Sequence, residues 1–122
     1  MEPNESRENY LEAILMVKEE QGYVRAVDIA EMLKVSKPSV TYATKKLKDS
    51  ELINFDNNGM IVLTHKGKTI AEDTYLKHKT LTSFFEHIGV SSKQARIDAC
   101  KVEHDLSKET FDAILKFTKH LK

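Results

Sequence analysis

A cysteine, a glutamate and a histidine lie close together near the end of the chain, at Cys100, Glu103 and His104. The pattern around them predicts a helix, and helical residues at i, i+3 and i+4 project from one face. Thiolate, carboxylate and imidazole should therefore converge on one point. These three ligand types suit a divalent transition ion such as Fe²⁺, Mn²⁺, Co²⁺ or Zn²⁺. The alternative is that Cys100 belongs to the core, as a lone helical cysteine often does.

Three polar residues elsewhere stand beside apolar neighbours. Asn9 and Glu12 are three positions apart on the first predicted helix, and His78 lies within a later helix that carries an apolar face. The simpler interpretation makes Glu12 a surface acid and His78 a helix histidine with ordinary hydrogen-bond partners. The remaining histidines have no such surroundings and are predicted to be structural or solvent-facing: His65, His87 and His120.

The composition is that of an ordinary globular protein. The chain has 122 residues, 40% of them apolar and 31% charged, which corresponds to one or two small domains. Nineteen basic side chains balance nineteen acidic ones, so a generally basic nucleic-acid-binding surface is excluded. The charge is nevertheless segregated: residues 1–20 carry a net −4 and residues 34–50 a net +4. Any affinity for DNA must come from this local lysine-rich segment.

The chain carries no signal for a membrane or for export. Its longest apolar run, residues 13–17, is far too short to cross a bilayer, and no secretory signal is visible. The single cysteine cannot form an internal disulfide, which favours a reducing compartment. We therefore expect a cytoplasmic protein without membrane contacts.

Periodicity and turn residues predict a mainly α-helical chain with a small β-hairpin. Helices are expected at residues 6–21, 26–33, 37–49, 64–88, 92–104 and 107–121. The third of these should turn Val40, Ala43 and Leu47 inward. Two β-prone runs flank the turn-forming residues 56–59, which predicts a hairpin. Three serines should cap the starts of helices: Ser36, Ser91 and Ser107.

The order helix, short helix, tight turn, basic helix and hairpin is that of a winged helix-turn-helix. It predicts a DNA-binding domain at residues 1–70 and a helical domain at residues 71–122. In the third helix, hydroxyls and lysines would contact base edges and phosphates. The predicted DNA-contacting residues are Ser36, Lys37, Pro38, Ser39, Thr41, Tyr42, Lys45 and Lys46. The alternative is a winged helix that contacts only protein.

The apolar residues after Leu63 exceed what the small first domain can cover. They predict a subunit interface with two-fold symmetry, and they include Leu76, Leu81, Phe84, Phe85, Ile88, Ile97, Leu106, Phe111, Ile114, Leu115 and Phe117. A neutral protein with one basic helix gains DNA affinity by dimerising, because the phosphate contacts double. Two winged helices so paired would lie roughly 34 Å apart, near one DNA turn.

Several stretches resemble the diphtheria-toxin-repressor family of metal-activated bacterial repressors, in particular its short manganese-sensing branch. They are residues 8–14 (ENYLEAI), 27–33 (VDIAEML), 36–41 (SKPSVT) and 63–67 (LTHKG), with His78 and the Glu103-His104 pair. The resemblance covers essentially the whole chain. It implies a short form that lacks the Src-homology-3-like domain of the longer iron-sensing members. It also implies a metal site that holds two winged helices ready for DNA.

The resemblance further implies a ligand set, carried over residue by residue: Asn9, Glu12, His78, Cys100, Glu103 and His104. Two positions depart from the manganese branch, because Asn9 replaces an aspartate and Cys100 replaces a glutamate. Cysteine at the second position is typical of the iron branch, so the site is a hybrid. An ancillary iron-branch site is not expected, because its acid and histidine fall on Thr82 and Arg96.

The soft thiolate favours Fe²⁺ over Mn²⁺, while Zn²⁺ or Co²⁺ would bind more tightly in vitro. The predicted function is a metal-activated DNA-binding repressor of metal homeostasis genes that binds operators as a homodimer. One alternative is a winged-helix regulator that responds to a non-metal ligand. A purely structural interaction module would have no DNA affinity. An enzyme is not expected, because no nucleophile, base and pocket are evident together.

Overall fold

The computed structural model describes residues 3–120, which form two compact units that divide between Glu72 and Asp73. Within the described residues there are six helices and one hairpin, and the mainly α-helical prediction is confirmed. The helices are α1 (Pro3–Gln21), α2 (Ala26–Leu33), α3 (Lys37–Asp49), α4 (His65–His87), α5 (Ser92–Val102) and α6 (Lys108–Thr118). The strands are β1 (Ile53–Phe55) and β2 (Ile61–Leu63).

Helix α1 is the centre of the first unit, since it packs against α2, α3 and β2. Contacts on several sides explain why its buried residues run almost without a break from Tyr10 to Leu15 instead of forming one stripe. Ile29 of α2, Val40 of α3 and Ile53 of β1 complete this core and are inaccessible to solvent.

Local contacts fix the start of α2 and the turn between α2 and α3. At the start of α2, the Asp28 carboxylate accepts hydrogen bonds from the Arg25 backbone N–H (2.9 Å) and guanidinium (2.9 Å). The Arg25 contact lowers the pKa of Asp28, so the cap persists until the pH falls below the ordinary range of aspartate. Lys34 ends α2 in the left-handed conformation, and Ser36 caps α3 by accepting from Ser39 N–H at 3.2 Å. The predicted bounds of both helices are confirmed.

One predicted inward position of α3 is wrong. Val40 and Leu47 are buried as expected, but Ala43 is only half-buried and Thr44 is buried in its place. Thr44 can enter the core because its hydroxyl donates to the backbone carbonyl of Val40 at 2.8 Å, which satisfies its hydrogen bond inside the helix.

The hairpin is the wing of this unit. Its strands are antiparallel, with Ile53 opposite Leu63 and Phe55 opposite Ile61. The Asp56 carboxylate accepts from the backbone N–H groups of Asn58 and Met60, at 2.8 and 3.0 Å, and Gly59 supplies a left-handed residue. These contacts close the predicted turn.

In the second unit the helices end earlier than predicted. Helix α5 ends at Val102 instead of residue 104, and α6 ends at Thr118, while the predicted end at Leu121 lies outside the described residues. The serine caps are confirmed, since Ser91 and Ser107 accept from N–H groups three positions later, at 3.3 and 3.1 Å. Phe84 of α4 meets Phe117 of α6 edge to face, with ring centroids 6.0 Å apart.

Among residues 3–120, no helix is both long enough and apolar enough to cross a membrane.

The start of α4 lies directly against the backbone that precedes β1. Thr64 donates its hydroxyl to the Glu51 carbonyl (2.8 Å) and accepts from the Gly67 N–H (3.1 Å). A Cβ atom on Gly67 would lie 2.0 Å from the carbonyl oxygen of Leu52. Only glycine fits this position, because the opposing atom belongs to the backbone and cannot rotate away.

We therefore expect Gly67→Ala to destabilise the protein by about 1–3 kcal/mol, although alanine is the better helix former by roughly 1 kcal/mol. Urea unfolding followed by circular dichroism measures the difference. Lys68→Ala, at the next and exposed position of α4, is the matched control and should change stability little. A Gly67→Ala protein more stable than the wild type would show that helix propensity outweighs the close approach.

Candidate metal centre and nucleic-acid interface

The second unit contains a carboxylate that is removed from solvent. Glu103 follows the last residue of α5, keeps helical backbone angles and donates its N–H to the Ala99 carbonyl at 3.0 Å. Its side chain has no exposed surface. A buried carboxylate is costly unless cations or hydrogen-bond donors compensate it.

Two imidazoles lie against the Glu103 carboxylate. Among the described residues, only His78 forms a hydrogen bond with it, and the buried oxygen Oε1 has no hydrogen-bond partner. Nδ1 of His78, from α4, lies 3.1 Å from one carboxylate oxygen, and Nε2 of His104 lies 3.2 Å from the other. The His104 side chain is 4% exposed and that of His78 is 20% exposed, so the cluster is largely shielded from water. Each carboxylate oxygen therefore faces a different ring nitrogen.

This donor set fits a divalent transition ion. Imidazole nitrogen and carboxylate oxygen are ligands that Mn²⁺, Fe²⁺, Co²⁺ and Zn²⁺ all accept. The three side chains come from α4 and from the end of α5, so folding of the second unit brings them together. Of the predicted ligands, the structure brings together His78, Glu103 and His104.

Cys100 differs from the expectation drawn from helical periodicity. It is exposed, whereas Glu103 and the flanking helix position Ala99 are buried. Helix α5 ends at Val102, so His104 lies in the turn that follows it. The alternative role of Cys100 as a core residue is also wrong, since the residue is exposed.

The two predicted ligands on α1 lie in the first unit. Glu12 is buried, only 8% exposed, and is therefore not a surface acid, while Asn9 is half-buried. Burial of the Glu12 carboxylate is costly for the same reason as burial of Glu103, because water no longer solvates the charge. The histidines outside the proposed set, His65, His87 and His120, are exposed, as expected.

Helix α3 presents a polar and basic surface. Its buried side consists of Val40, Thr44 and Leu47. The side chains predicted to contact DNA are all exposed: Ser36, Lys37, Pro38, Ser39, Thr41, Tyr42, Lys45 and Lys46. The exposed side of α3 therefore carries hydroxyls and lysines, the side-chain types that contact bases and phosphates in DNA-binding helices.

Two lysines of α3 lie over aromatic rings. The ammonium nitrogen of Lys46 lies 4.7 Å from the ring centroid of Tyr42, and that of Lys48 lies 5.7 Å from the centroid of Phe55 in β1. The second contact connects α3 to the wing, so the positive charge of the helix extends toward the hairpin.

These features define a winged helix-turn-helix unit followed by a helical unit with a buried histidine–carboxylate cluster. Two family models match the chain. "Iron dependent repressor, N-terminal DNA binding domain" matches residues 4–59, and "Iron dependent repressor, metal binding and dimerisation domain" matches residues 64–122. The chain belongs to the iron-dependent repressor family, which confirms the resemblance seen in the sequence.

Solved structures of metal-responsive regulators are similar to this chain. The manganese regulator SloR is 29% identical, with a TM-score of 0.82 over 95% of this chain and 54% of that one. The metal-dependent transcriptional regulator MtsR is 26% identical, with a TM-score of 0.84 over 93% and 53%. ScaR with bound Zn²⁺ is 27% identical, with a TM-score of 0.76 over 95% and 55%. The chain spans about half the length of these proteins.

We expect Mn²⁺ at about 100 times its Kd to raise the melting temperature by roughly 5–10 °C, because binding to the native state alone stabilises it. Glu103→Gln should keep the helical circular dichroism spectrum and lose this shift, since the amide carries no charge for the cation. Differential scanning fluorimetry measures both.

The matched control is His87→Gln, an exposed histidine on the same helix as His78, which should respond to Mn²⁺ as the wild type does. An unchanged shift in Glu103→Gln would exclude Glu103 from the metal centre.

Proposed function

We propose that this protein is a metal-activated transcriptional repressor that binds DNA operators of metal homeostasis genes as a homodimer. The observation that carries the proposal is the buried Glu103 carboxylate between His78 and His104, in a chain whose α3 exposes a lysine-rich face. Membership of the iron-dependent repressor family supports both the proposed metal binding and the proposed DNA binding.

The proposed ligands are those implied by the family resemblance: Asn9, Glu12, His78, Cys100, Glu103 and His104. Burial supports Glu12 and Glu103, because two carboxylates removed from water require positive charge. A divalent cation bound by these groups would supply that charge. Cys100 is exposed, so its participation depends on a thiolate forming at the protein surface, which metal binding favours as the pH rises.

The metal is proposed to be Fe²⁺ or Mn²⁺. A set that includes the Cys100 thiolate favours Fe²⁺, whereas the carboxylates and imidazoles without it suit Mn²⁺ equally well. Zn²⁺ and Co²⁺ are expected to bind in vitro, because affinities follow the general order of the divalent ions. Metal availability in the cell then decides which ion acts.

The proposed partners are double-stranded DNA and a second copy of the chain. The second unit leaves several large apolar side chains exposed, which supports a protein interface there: Leu76, Ile88, Ile97 and Phe117. A dimer would present two α3 helices, and its operator would then repeat with two-fold symmetry. We expect a regulator without catalytic activity that acts on DNA in the cytoplasm.

The proposed activation is a linkage between metal and DNA binding. The ligands come from both units, because Asn9 and Glu12 belong to the first and the other four belong to the second. Without a cation, the carboxylates of the ligand set repel each other and disfavour the conformation that binds DNA. A bound divalent ion neutralises their negative charge and shifts the population toward that conformation. A coupling free energy of roughly 1–3 kcal/mol would raise operator affinity about 5–150-fold.

Fluorescence anisotropy tests the proposal. The protein is used to select duplexes from a random-sequence library, and a labelled selected duplex is then titrated anaerobically with protein plus Fe²⁺, Mn²⁺ or Zn²⁺, or with chelator. We expect at least one metal to tighten binding about 5–150-fold and the chelator to reverse it. Equal affinity with metal and with chelator would contradict metal activation and favour a regulator that responds to another ligand.

In the same assay, Cys100→Ser should abolish or strongly weaken metal-stimulated DNA binding and leave the dimer intact by size-exclusion chromatography. The reason is that serine removes the only thiolate while adding little bulk. The control is Ser92→Ala, an exposed position on the same helix. Full metal stimulation of Cys100→Ser would remove Cys100 from the ligand set.

Replacing both Lys45 and Lys46 with alanine should weaken binding to all duplexes. It should also flatten the dependence of log Kd on log salt by about 3.6, because a dimer loses about four phosphate contacts at roughly 0.9 each. The control is Lys93→Ala/Lys119→Ala, which removes the same charge from exposed positions of the second unit. A salt dependence that is unchanged in the α3 variant would show that this helix does not contact phosphates.

A further inference from the structure

A cavity of about 540 Å³ lies within the first unit, between the start of α1 and the second half of α3. It is separate from the histidine–carboxylate cluster, which belongs to the second unit. Its lining combines residues near the start of α1 with Tyr42 and Lys46 and with Ser50, which follows the end of α3. The volume is in the range of pockets that hold small organic ligands.

Tyr10 is the most informative residue of this lining. The residue is only 8% exposed, and its hydroxyl makes no hydrogen bond to any of the residues that the structure describes. Burial also raises the pKa of the Tyr10 phenol, so the hydroxyl keeps its proton and remains a donor at neutral pH. Because Tyr10 lines the cavity, its hydroxyl can donate to an acceptor atom of a ligand bound there.

The charged residues that line the cavity indicate the charge of the ligand. Arg7 and Lys46 supply two positive charges and Asp49 supplies one negative charge, so the lining carries a net charge of +1. A monoanion matches this charge, whereas a dianion such as phosphate would meet Asp49 without full compensation. Guanidinium and ammonium groups both bind carboxylates by charge-assisted hydrogen bonds.

The rest of the lining is apolar or aromatic. The rings of Tyr10 and Tyr42, with Ala43 and Leu47, provide surface for a flat, largely apolar body. Lys46 lies over the Tyr42 ring at 4.7 Å, which places a positive charge beside an aromatic wall. An aromatic ring with one carboxylate complements both features.

We infer that this cavity binds a small aromatic monocarboxylate. The carboxylate is held by Arg7 and Lys46, the Tyr10 hydroxyl donates a hydrogen bond to it, and the ring packs on Tyr42 and Leu47. Because Tyr42 and Lys46 are also proposed DNA contacts, the ligand and DNA compete for the same two side chains. This second statement rests on the proposed DNA binding, whereas ligand binding itself does not.

The direct test is a titration of the metal-free full chain with benzoate, followed by amide shifts in two-dimensional nitrogen–proton NMR spectra. We expect saturable shifts at Tyr42, Ala43 and Ser50, with a Kd in the high micromolar to millimolar range that is usual for a fragment of this size. Benzamide, which has the same shape without charge, should bind at least about tenfold more weakly. Sulfate, which is a dianion at neutral pH, should cause no saturable shift.

Two variants assign the contacts. Tyr10→Phe keeps the ring in the core and removes only the hydroxyl, so benzoate should bind about five- to tenfold more weakly. Arg7→Gln should weaken benzoate at least about tenfold and reduce its preference over benzamide, while Lys46 keeps part of that preference. Lys45→Ala is the matched control, because Lys45 neighbours Lys46 on α3 and does not line the cavity, and it should leave the benzoate Kd unchanged.

Competition is measured by anisotropy of the labelled duplex, with metal present. Benzoate should raise the apparent Kd for DNA in the wild type, and the same effect in Arg7→Gln should require at least about tenfold more benzoate. Benzamide should have little effect in either protein. The absence of saturable benzoate shifts, or equal affinity for benzoate and benzamide, would overturn the inference. Benzoate binding without any DNA binding would instead overturn the proposed repressor function and leave the ligand site in place.

Discussion

The second unit depends on one constraint: the buried Glu103 carboxylate needs nearby hydrogen-bond donors or positive charge. Glu103 has no solvent-exposed side-chain surface, and water therefore cannot stabilise its carboxylate. His78 from α4 forms a hydrogen bond with one carboxylate oxygen. His104, in the turn after α5, lies 3.2 Å from the other, which has no hydrogen-bond partner in the described part of the chain. A site that already gathers nitrogen and oxygen donors around one charge needs little rearrangement to hold a divalent ion.

In the first unit, the basic helix α3 is exposed on one side and packed against the core on the other. Helix α3 is held by its buried residues and by the Ser36 cap, and the turn before it is fixed by the left-handed Lys34. Its hydroxyls and lysines are left on the outer surface. Rigid support of this kind lets the polar face keep one orientation, which recognition of DNA requires.

The local elements could be predicted because their signals are local. Serine caps, the Asp56–Gly59 turn and the spacing of apolar residues act over a few positions, so α2, α3 and the hairpin agree with the predictions. The errors occurred where local signals compete with packing. Thr44 replaces Ala43 inside because an intrahelical hydrogen bond satisfies its hydroxyl, and α5 ends before His104 although the periodicity continues.

The sequence by itself determined the order of the elements and the basic character of α3, because residue type and spacing express these directly, and it supplied the proposed metal ligands as a prediction. Only the tertiary structure decided that Glu103 is buried between His78 and His104 while Cys100 is exposed. It also revealed the cavity beside Tyr10. Burial and cavities arise from residues far apart in the chain, and the spacing along one helix contains no information about what a distant segment covers.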